Sequence, residues 1–126
     1  MISLLTSWFA AASILFAHAE VGMATTFSAA EGAPYNPNPH LCCQHRDLDD
    51  RRDLVVAHKT LPCGTELLIL LPRTGRYSFA TVEDRGPARA MLDLAPALRK
   101  KLKHNGRERV VMFVLGVPRT RLASAP

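Results

Sequence analysis

Apolar runs separated by turn signals dominate the second half of the chain. The run ELLILL at residues 66–71 is bounded by PCGT on one side and by PRTGR on the other. A run this short between turn signals is typical of a strand buried on both faces, and it is too short for a helix. The segment at 77–82 is strand-like, and the run at 110–115 is continuously apolar and predicts a buried strand. We therefore predict three strands, and the Thr74-Gly75 turn indicates that the first two form a hairpin.

Weaker signals complete the pattern. Strand-like segments occur at residues 22–29, 54–57 and 89–94. Residues 31–53 are rich in proline, asparagine and charge, which predicts a long loop. Pro96 suits the first turn of a helix, Leu98 and Leu102 share one face of it, and Asn105 with the following glycine ends it. Five or six strands with one short helix favour a small β-barrel over a parallel βαβ sheet.

Composition and charge narrow the class of partner. The 126 residues suffice for one domain, and the net charge of +5 makes acidic polymers plausible partners. Aromatic residues make up only 6% of the chain, which is too few for a broad base-stacking surface, so we expect no nucleic-acid binding. The basic run at residues 99–103 is interpreted as the solvated face of the helix.

The first residues are typical of an export signal. Residues 4–17 are apolar, and Ala17-His18-Ala19 is a small-x-small cleavage pattern. We predict a signal peptide at residues 1–19 and one domain at residues 20–126, exported to the periplasm or the exterior without stable insertion in a membrane. The alternative is a buried N-terminal helix, since no lysine or arginine precedes the apolar run.

The three cysteines predict one disulfide. Neighbouring cysteines rarely bond to each other, so Cys63 is expected to pair with Cys42 or Cys43. An exported protein permits such a bridge. The less favoured alternative is a zinc site that uses the flanking His40 and His45.

Two polar residues follow strands, and the sequence around them resembles a known family. His58 lies in LVVAHKTLPCGTELLI, and Asp84 lies in TVEDRGP, followed by LDLA before the helix. These motifs, in this order and spacing, resemble the rare lipoprotein A-like double-psi β-barrel family, whose members look like the catalytic half of expansins. The resemblance spans residues 22–115. It implies a mainly β fold, a six-stranded double-psi β-barrel with one short helix and a groove across one face.

The resemblance also implies an activity, lytic transglycosylation of peptidoglycan, in which the MurNAc-GlcNAc bond is cut without water and a 1,6-anhydro end remains. Asp84 matches the catalytic carboxylate, His58 the motif histidine, and Asp47 the upstream acid. One carboxylic acid can protonate the leaving oxygen and then accept the proton of the sugar's own C6 hydroxyl. Asp49 and Asp50 are alternatives to Asp47, because all three lie in the acidic segment before His58.

The remaining site residues are assigned to substrate binding: Phe27, Tyr35, Thr60 and Arg85. The expected partner is the glycan strand of peptidoglycan, bound by a monomer that needs no metal and no cofactor. One alternative is a non-catalytic, expansin-like protein that binds or loosens cell-wall glycans. A barrel of the protease-inhibitor type is another, without a motif to support it.

Three acids have simpler interpretations. Asp84 and Arg85 could form an ion pair in a turn. Asp93, between two leucines, is read as a structural acceptor of backbone N–H groups near the helix start. Glu83 is expected to face solvent.

Overall fold

The computed structural model describes residues 19–27, 40–41, 46–86 and 89–117. Six strands close into a barrel in the order β1-β7-β4-β6-β5-β8, and a two-stranded sheet, β2-β3, lies beside it. In chain order the elements are β1 Ala19–Thr26, β2 His40–Leu41, β3 Arg46–Asp47, β4 Val55–Ala57, β5 Glu66–Leu71, β6 Arg76–Asp84, β7 Leu92–Leu94, α1 Pro96–Leu102 and β8 Arg107–Gly116. The expected fold class, a six-stranded barrel with one short helix, is confirmed.

Two parallel strand pairs distinguish this barrel from a simple meander. Strand β1 runs parallel to β7, and β4 runs parallel to β6, while the other neighbours in the barrel are antiparallel. Because parallel strands end at the same edge of a sheet, the ends of β4 and β6 lie side by side.

The core is formed by the inward side of each strand. In β5, Leu67, Ile69 and Leu71 are fully buried, while Leu68 and Leu70 between them are half-buried. The prediction that ELLILL is buried on both faces is therefore wrong, because a barrel strand has only one face toward the core. Each fully buried leucine or isoleucine contributes about 1.5–3 kcal/mol relative to an exposed one.

Helix α1 closes one end of the barrel. Proline stands in its first turn as expected, and Leu98 and Leu102 are buried against the core. The chain leaves the helix at Lys103, which is left-handed with φ of 55°. The helix thus ends before the predicted stop at Asn105, because Lys103 already supplies the left-handed residue that ends a helix.

The first strand differs from its prediction. Strand β1 begins at Ala19, which pairs with Phe113 of β8, rather than near Gly22, and it ends at Thr26. Residues 1–18 of the predicted signal peptide lie outside the described residues. Within the part of the chain that the structure describes, none of the helices has the length and hydropathy to cross a membrane.

Glu83 and Asp93 lie in the barrel wall. Glu83 is buried, so the expectation that it faces solvent is wrong. The pairing of β4 with β6 shifts register there, from Val56 opposite Val82 to Ala57 opposite Asp84, and this bulge interrupts the alternation of faces. Asp93 accepts a hydrogen bond from the hydroxyl of Thr25 at 2.9 Å, a structural contact.

Candidate functional site

His58 and Asp84 lie at one end of the barrel, directly after β4 and at the end of β6. The backbone N–H of His58 donates to the carbonyl of Asp84 at 3.1 Å. This contact extends the parallel pairing of the two strands by one residue. The structure therefore brings together the two residues that the motifs single out.

The imidazole of His58 is fixed by its own loop. Its Nδ1 accepts the backbone N–H groups of Thr60 at 3.1 Å and of Leu61 at 3.0 Å. Because Nδ1 is an acceptor, the neutral ring carries its proton on Nε2. Burial lowers the pKa of His58, the nearby cations Arg85 and Lys59 lower it further, and Glu20 opposes them. His58 is therefore a neutral hydrogen-bond donor through Nε2 near pH 7.

Arg85 tethers the same loop. Its guanidinium donates to the carbonyls of His58, at 3.0 Å, and of Leu61, and it lies 3.0 Å from the sulfur of Cys63. The backbone N–H of Arg85 donates to Oδ1 of Asp84 at 2.9 Å. The guanidinium thus holds the residue 58–63 loop against the end of β6, and its predicted contact with substrate stays a prediction.

A disulfide holds the far end of this loop. Cys63 is buried and disulfide-bonded, as expected. Its predicted partners, Cys42 and Cys43, lie outside the described residues, so the pairing stays a prediction. The loop that carries His58 is fixed by both a covalent bond and the Arg85 tether, which predicts that its conformation is set before any ligand binds.

An open pocket of about 350 Å³ adjoins His58. We call it the His58 pocket, and its lining residues are Glu20, His58, Lys59, Thr60, Arg89, Ala90 and Met91. One carboxylate, two cations, a hydroxyl and an imidazole can donate to and accept from the hydroxyl groups of a sugar. The described residues contain no group of three or more histidine, cysteine or acidic side chains placed to bind a metal ion.

Glu20 is not among the site residues predicted from the sequence. The predicted domain begins at Glu20, whereas the structure places this residue inside β1, opposite Met112 of β8. Gly22, two residues later, allows β1 to approach the pocket wall, because a Cβ there would lie 2.8 Å from Cβ of Met91. In the sequence, the corresponding signal is a glycine within a strand. Such a glycine often marks a place where another part of the chain approaches the backbone closely.

Phe27 and Asp47 lie away from the His58 pocket. Phe27 packs on a small cluster formed by Leu48, Val55 and Ala95. Since Val55 begins β4 and His58 follows its end, Phe27 and His58 lie toward opposite ends of that strand. Asp47 is exposed at the end of β3, and the next residue, Leu48, belongs to that same cluster. The structure therefore does not place these two predicted site residues around His58.

Of the other candidates, Thr60 lines the pocket and Asp49 organises a turn. Asp49 accepts the backbone N–H of Arg51 through Oδ1 at 2.9 Å, and its own N–H donates to Asp53 at 2.7 Å. This is the local role that aspartate commonly has in a turn. Tyr35 lies outside the described residues.

Comparison with known proteins supports the fold. No protein-family model and no curated protein matches the sequence. A Streptomyces papain inhibitor superposes with a TM-score of 0.56 and 21% identity over 77% of this chain and 94% of that chain. Cerato-platanin 3 from M. perniciosa gives a TM-score of 0.51 and 14% identity over 76% and 95%. Both have expansin-related, double-psi-like barrels, and at these identities the likeness shows the fold alone.

Proposed function

We propose that this protein is a cell-wall glycan-binding barrel of the expansin-like, non-catalytic kind. The observation that carries the proposal is the His58 pocket, in which a fixed Nε2–H donor lies near the carboxylate of Glu20 and between exposed polar side chains. Carbohydrate hydroxyls are bound by a few polar groups held in place before the ligand arrives.

Pre-organisation supports this proposal. A loop that must be ordered on binding costs affinity, and here the loop of residues 58–63 is already held by Arg85 and by the Cys63 disulfide. The disulfide also suits a protein of an oxidising compartment, where cell-wall glycans are accessible. Export to the periplasm or the exterior is part of the same proposal.

Lytic transglycosylation is a second candidate, supported by the motif match of Asp84 and by the position of its backbone beside that of His58. In that reaction Asp84 protonates the leaving glycosidic oxygen and then takes the proton of the C6 hydroxyl as that oxygen attacks the anomeric carbon. His58 would donate from Nε2 to a sugar oxygen and so orient the ring. The family resemblance of the motifs is what suggests this chemistry.

Binding is tested by sedimentation of the protein with insoluble peptidoglycan. Glu20→Gln and His58→Asn should each weaken binding about 5- to 10-fold, because each removes one hydrogen bond worth about 1 kcal/mol. Glu66→Gln is the matched control, since it removes the charge of another exposed glutamate on a strand outside the pocket. Equal binding by all four proteins would exclude the His58 pocket as the glycan site.

Catalysis is tested on the same samples by mass spectrometry of released anhydro-muropeptides. If Asp84 is the acid, Asp84→Asn should lower product release at least about 100-fold while binding persists. Product release by neither protein, with binding intact, would support the non-catalytic function. A papain-inhibition assay in parallel decides whether the protein instead acts as the structurally similar inhibitor does; inhibition without glycan binding would overturn the proposal.

A further inference from the structure

A second polar surface lies at the other end of the barrel. Strand β6 is nine residues long, with Asp84 at one end and Arg76 at the other. Its eight steps of about 3.3 Å separate the two residues by about 26 Å. A ligand at the Arg76 end therefore contacts a surface that is distinct from the His58 pocket.

The turn between β5 and β6 docks on the last turn of α1. The guanidinium of Arg73 donates to the carbonyl of Lys103 at 2.8 Å, and that of Arg76 to the carbonyl of Lys101 at 3.3 Å. The hydroxyl of Thr74 donates to the carbonyl of Leu102 at 3.4 Å. The free carbonyls of a helix end favour cations, so this docking is stabilised by the helix itself.

This docking gathers basic residues from two distant parts of the sequence. We call the resulting surface the cationic end, and it consists of Arg73, Arg76, Arg99, Lys100, Lys101 and Lys103, all of them exposed. The sequence predicts that the four basic residues at 99–103 form the solvated face of the helix. The structure adds two arginines that a helix alone would not bring there.

The positive charge of the cationic end is largely uncompensated. The Glu108 carboxylate accepts from Arg73 at 2.7 and 3.0 Å. No carboxylate among the described residues bonds to Lys100, Lys101 or Lys103. The whole chain carries a net charge of +5, and six cations against one acid account for that excess at one end. Such a concentration attracts polyanions specifically to this end.

Two exposed aromatic residues follow Arg76 along β6. Tyr77 and Phe79 are 64% and 62% exposed, although aromatic residues are scarce in this chain. They are two residues apart on the outer face of one strand, so their Cα atoms are about 6.6 Å apart. Exposed ring faces that are both flat and apolar suit the C–H faces of sugar rings.

We propose that the cationic end, together with Tyr77 and Phe79, binds an acidic polysaccharide. Its carboxylates pair with the lysines of α1, and its sugar rings lie on the two aromatic rings. Disulfides such as that of Cys63 persist in oxidising compartments outside the cytosol. Polysaccharides are the common polyanions there, so the disulfide favours a polysaccharide over a nucleic acid. This surface goes beyond the proposed function and does not depend on the His58 pocket.

The test is titration calorimetry of the full chain with polygalacturonate, with an uncharged glucan as the neutral ligand. Lys100→Gln/Lys101→Gln should weaken polygalacturonate binding about 10-fold or more, since it removes two of the six positive charges of the cationic end. Arg51→Gln/Arg52→Gln removes the same charge from an exposed turn elsewhere and should change binding less than about 2-fold. Glutamine keeps the propensity of α1.

The aromatic contribution is tested separately with Tyr77→Thr/Phe79→Thr, which keeps residues suited to an exposed strand. This variant should lose affinity at both low and high salt, because stacking is not screened by ions. The lysine variant should lose affinity mainly at low salt. The losses of peptidoglycan binding caused by Glu20→Gln and His58→Asn should be the same in these two variants as in the wild type, which separates this proposal from the previous one.

Four results would overturn the proposal. They are absence of polygalacturonate binding by the wild type, equal losses in the lysine variant and its arginine control, tighter binding of single-stranded DNA, and tighter binding of anionic phospholipid vesicles. Equal losses in the lysine variant and its arginine control would attribute binding to net charge alone. The last two would assign the cationic end to a different polyanion.

Discussion

Substitution of His58 tests whether this residue organises its own loop. Its Nδ1 accepts two backbone N–H groups, from Thr60 and Leu61, while Nε2 carries the proton. Asparagine places Oδ1 where the histidine has Nδ1, so it can accept the same two groups but lacks the Nε2–H. Glutamine reaches toward the position of Nε2 and cannot accept at the position of Nδ1. Alanine supplies neither group.

The magnitudes follow from the two hydrogen bonds. A typical intramolecular hydrogen bond contributes about 1 kcal/mol net, and water can replace part of it at this half-exposed loop. His58→Ala should therefore lower the free energy of unfolding by about 1–2 kcal/mol, and His58→Gln by a similar amount. His58→Asn should cost about 0.5 kcal/mol or less, because both N–H groups keep an acceptor. Glycan binding should fall in the asparagine variant all the same.

The dependence on pH has a definite sign. The pKa of His58 is lowered from 6.5 in the folded protein by burial, and a protonated Nδ1 could not accept the two N–H groups. Below pH 6.5 the unfolded chain therefore binds more protons than the folded chain, and stability falls as the pH falls toward the folded pKa. His58→Asn removes this part of the acid destabilisation.

Urea unfolding of the four proteins between pH 5 and 8 measures all of these effects. The expected order of stability at pH 7.5 is wild type, then asparagine, then alanine and glutamine together. An asparagine variant as unstable as the alanine variant would show that the Nδ1 contacts do not stabilise the loop. An alanine variant as stable as the wild type would also show that the Nδ1 contacts do not stabilise the loop.

Three further changes test other parts of the structure. His104 is buried, and burial lowers its pKa, so it should add a second loss of stability on acidification below pH 6.5. This second loss should persist in His58→Asn and disappear in a folded variant that lacks His104. Glu108→Gln should lower the free energy of unfolding in urea by about 1 kcal/mol at pH 7, because the hydrogen-bonded Arg73 lowers the pKa of Glu108 to about 2. The contribution of this ion pair is present above pH 4.5 and is lost toward pH 2, so the stabilities of wild type and variant should converge in acid. Gly22→Ala should lower stability by about 1–3 kcal/mol and weaken glycan binding, since Cβ would collide with Met91 in the pocket wall; a crystal structure with Met91 unmoved would contradict this reasoning.

The centres of the strands were predictable, whereas their ends were not. The run at 66–71 matches β5, but β8 extends over residues 107–116 rather than 110–115. Its first residues, Arg107 to Arg109, are charged and pair with the end of β1, where the barrel wall meets solvent. Hydrophobic patterning detects burial, and strand residues at the barrel rim are not buried.

The candidate site was predictable where it depends on strand ends and unpredictable where it depends on register. His58 and Asp84 follow strands that the sequence identifies, and the resemblance of their motifs places the two together. Glu20 joins them only because β1 pairs with β7, the strand that lies between β1 and β4 in the barrel. The Arg85 tether likewise depends on a contact 22 to 27 residues away along the chain, which no local pattern records.

The pairing of β1 with β8 also constrains when the chain can fold. Ala19 lies opposite Phe113, so the first barrel strand and the last one close the cylinder together. Neither β1 nor β5 has its full set of neighbours until β8 has been synthesised, and a nascent chain would expose two strand edges to other chains until then. Contacts this distant in sequence also slow folding. Folding is therefore expected to follow release of the whole chain, and truncation before Arg107 should yield aggregates rather than a smaller barrel.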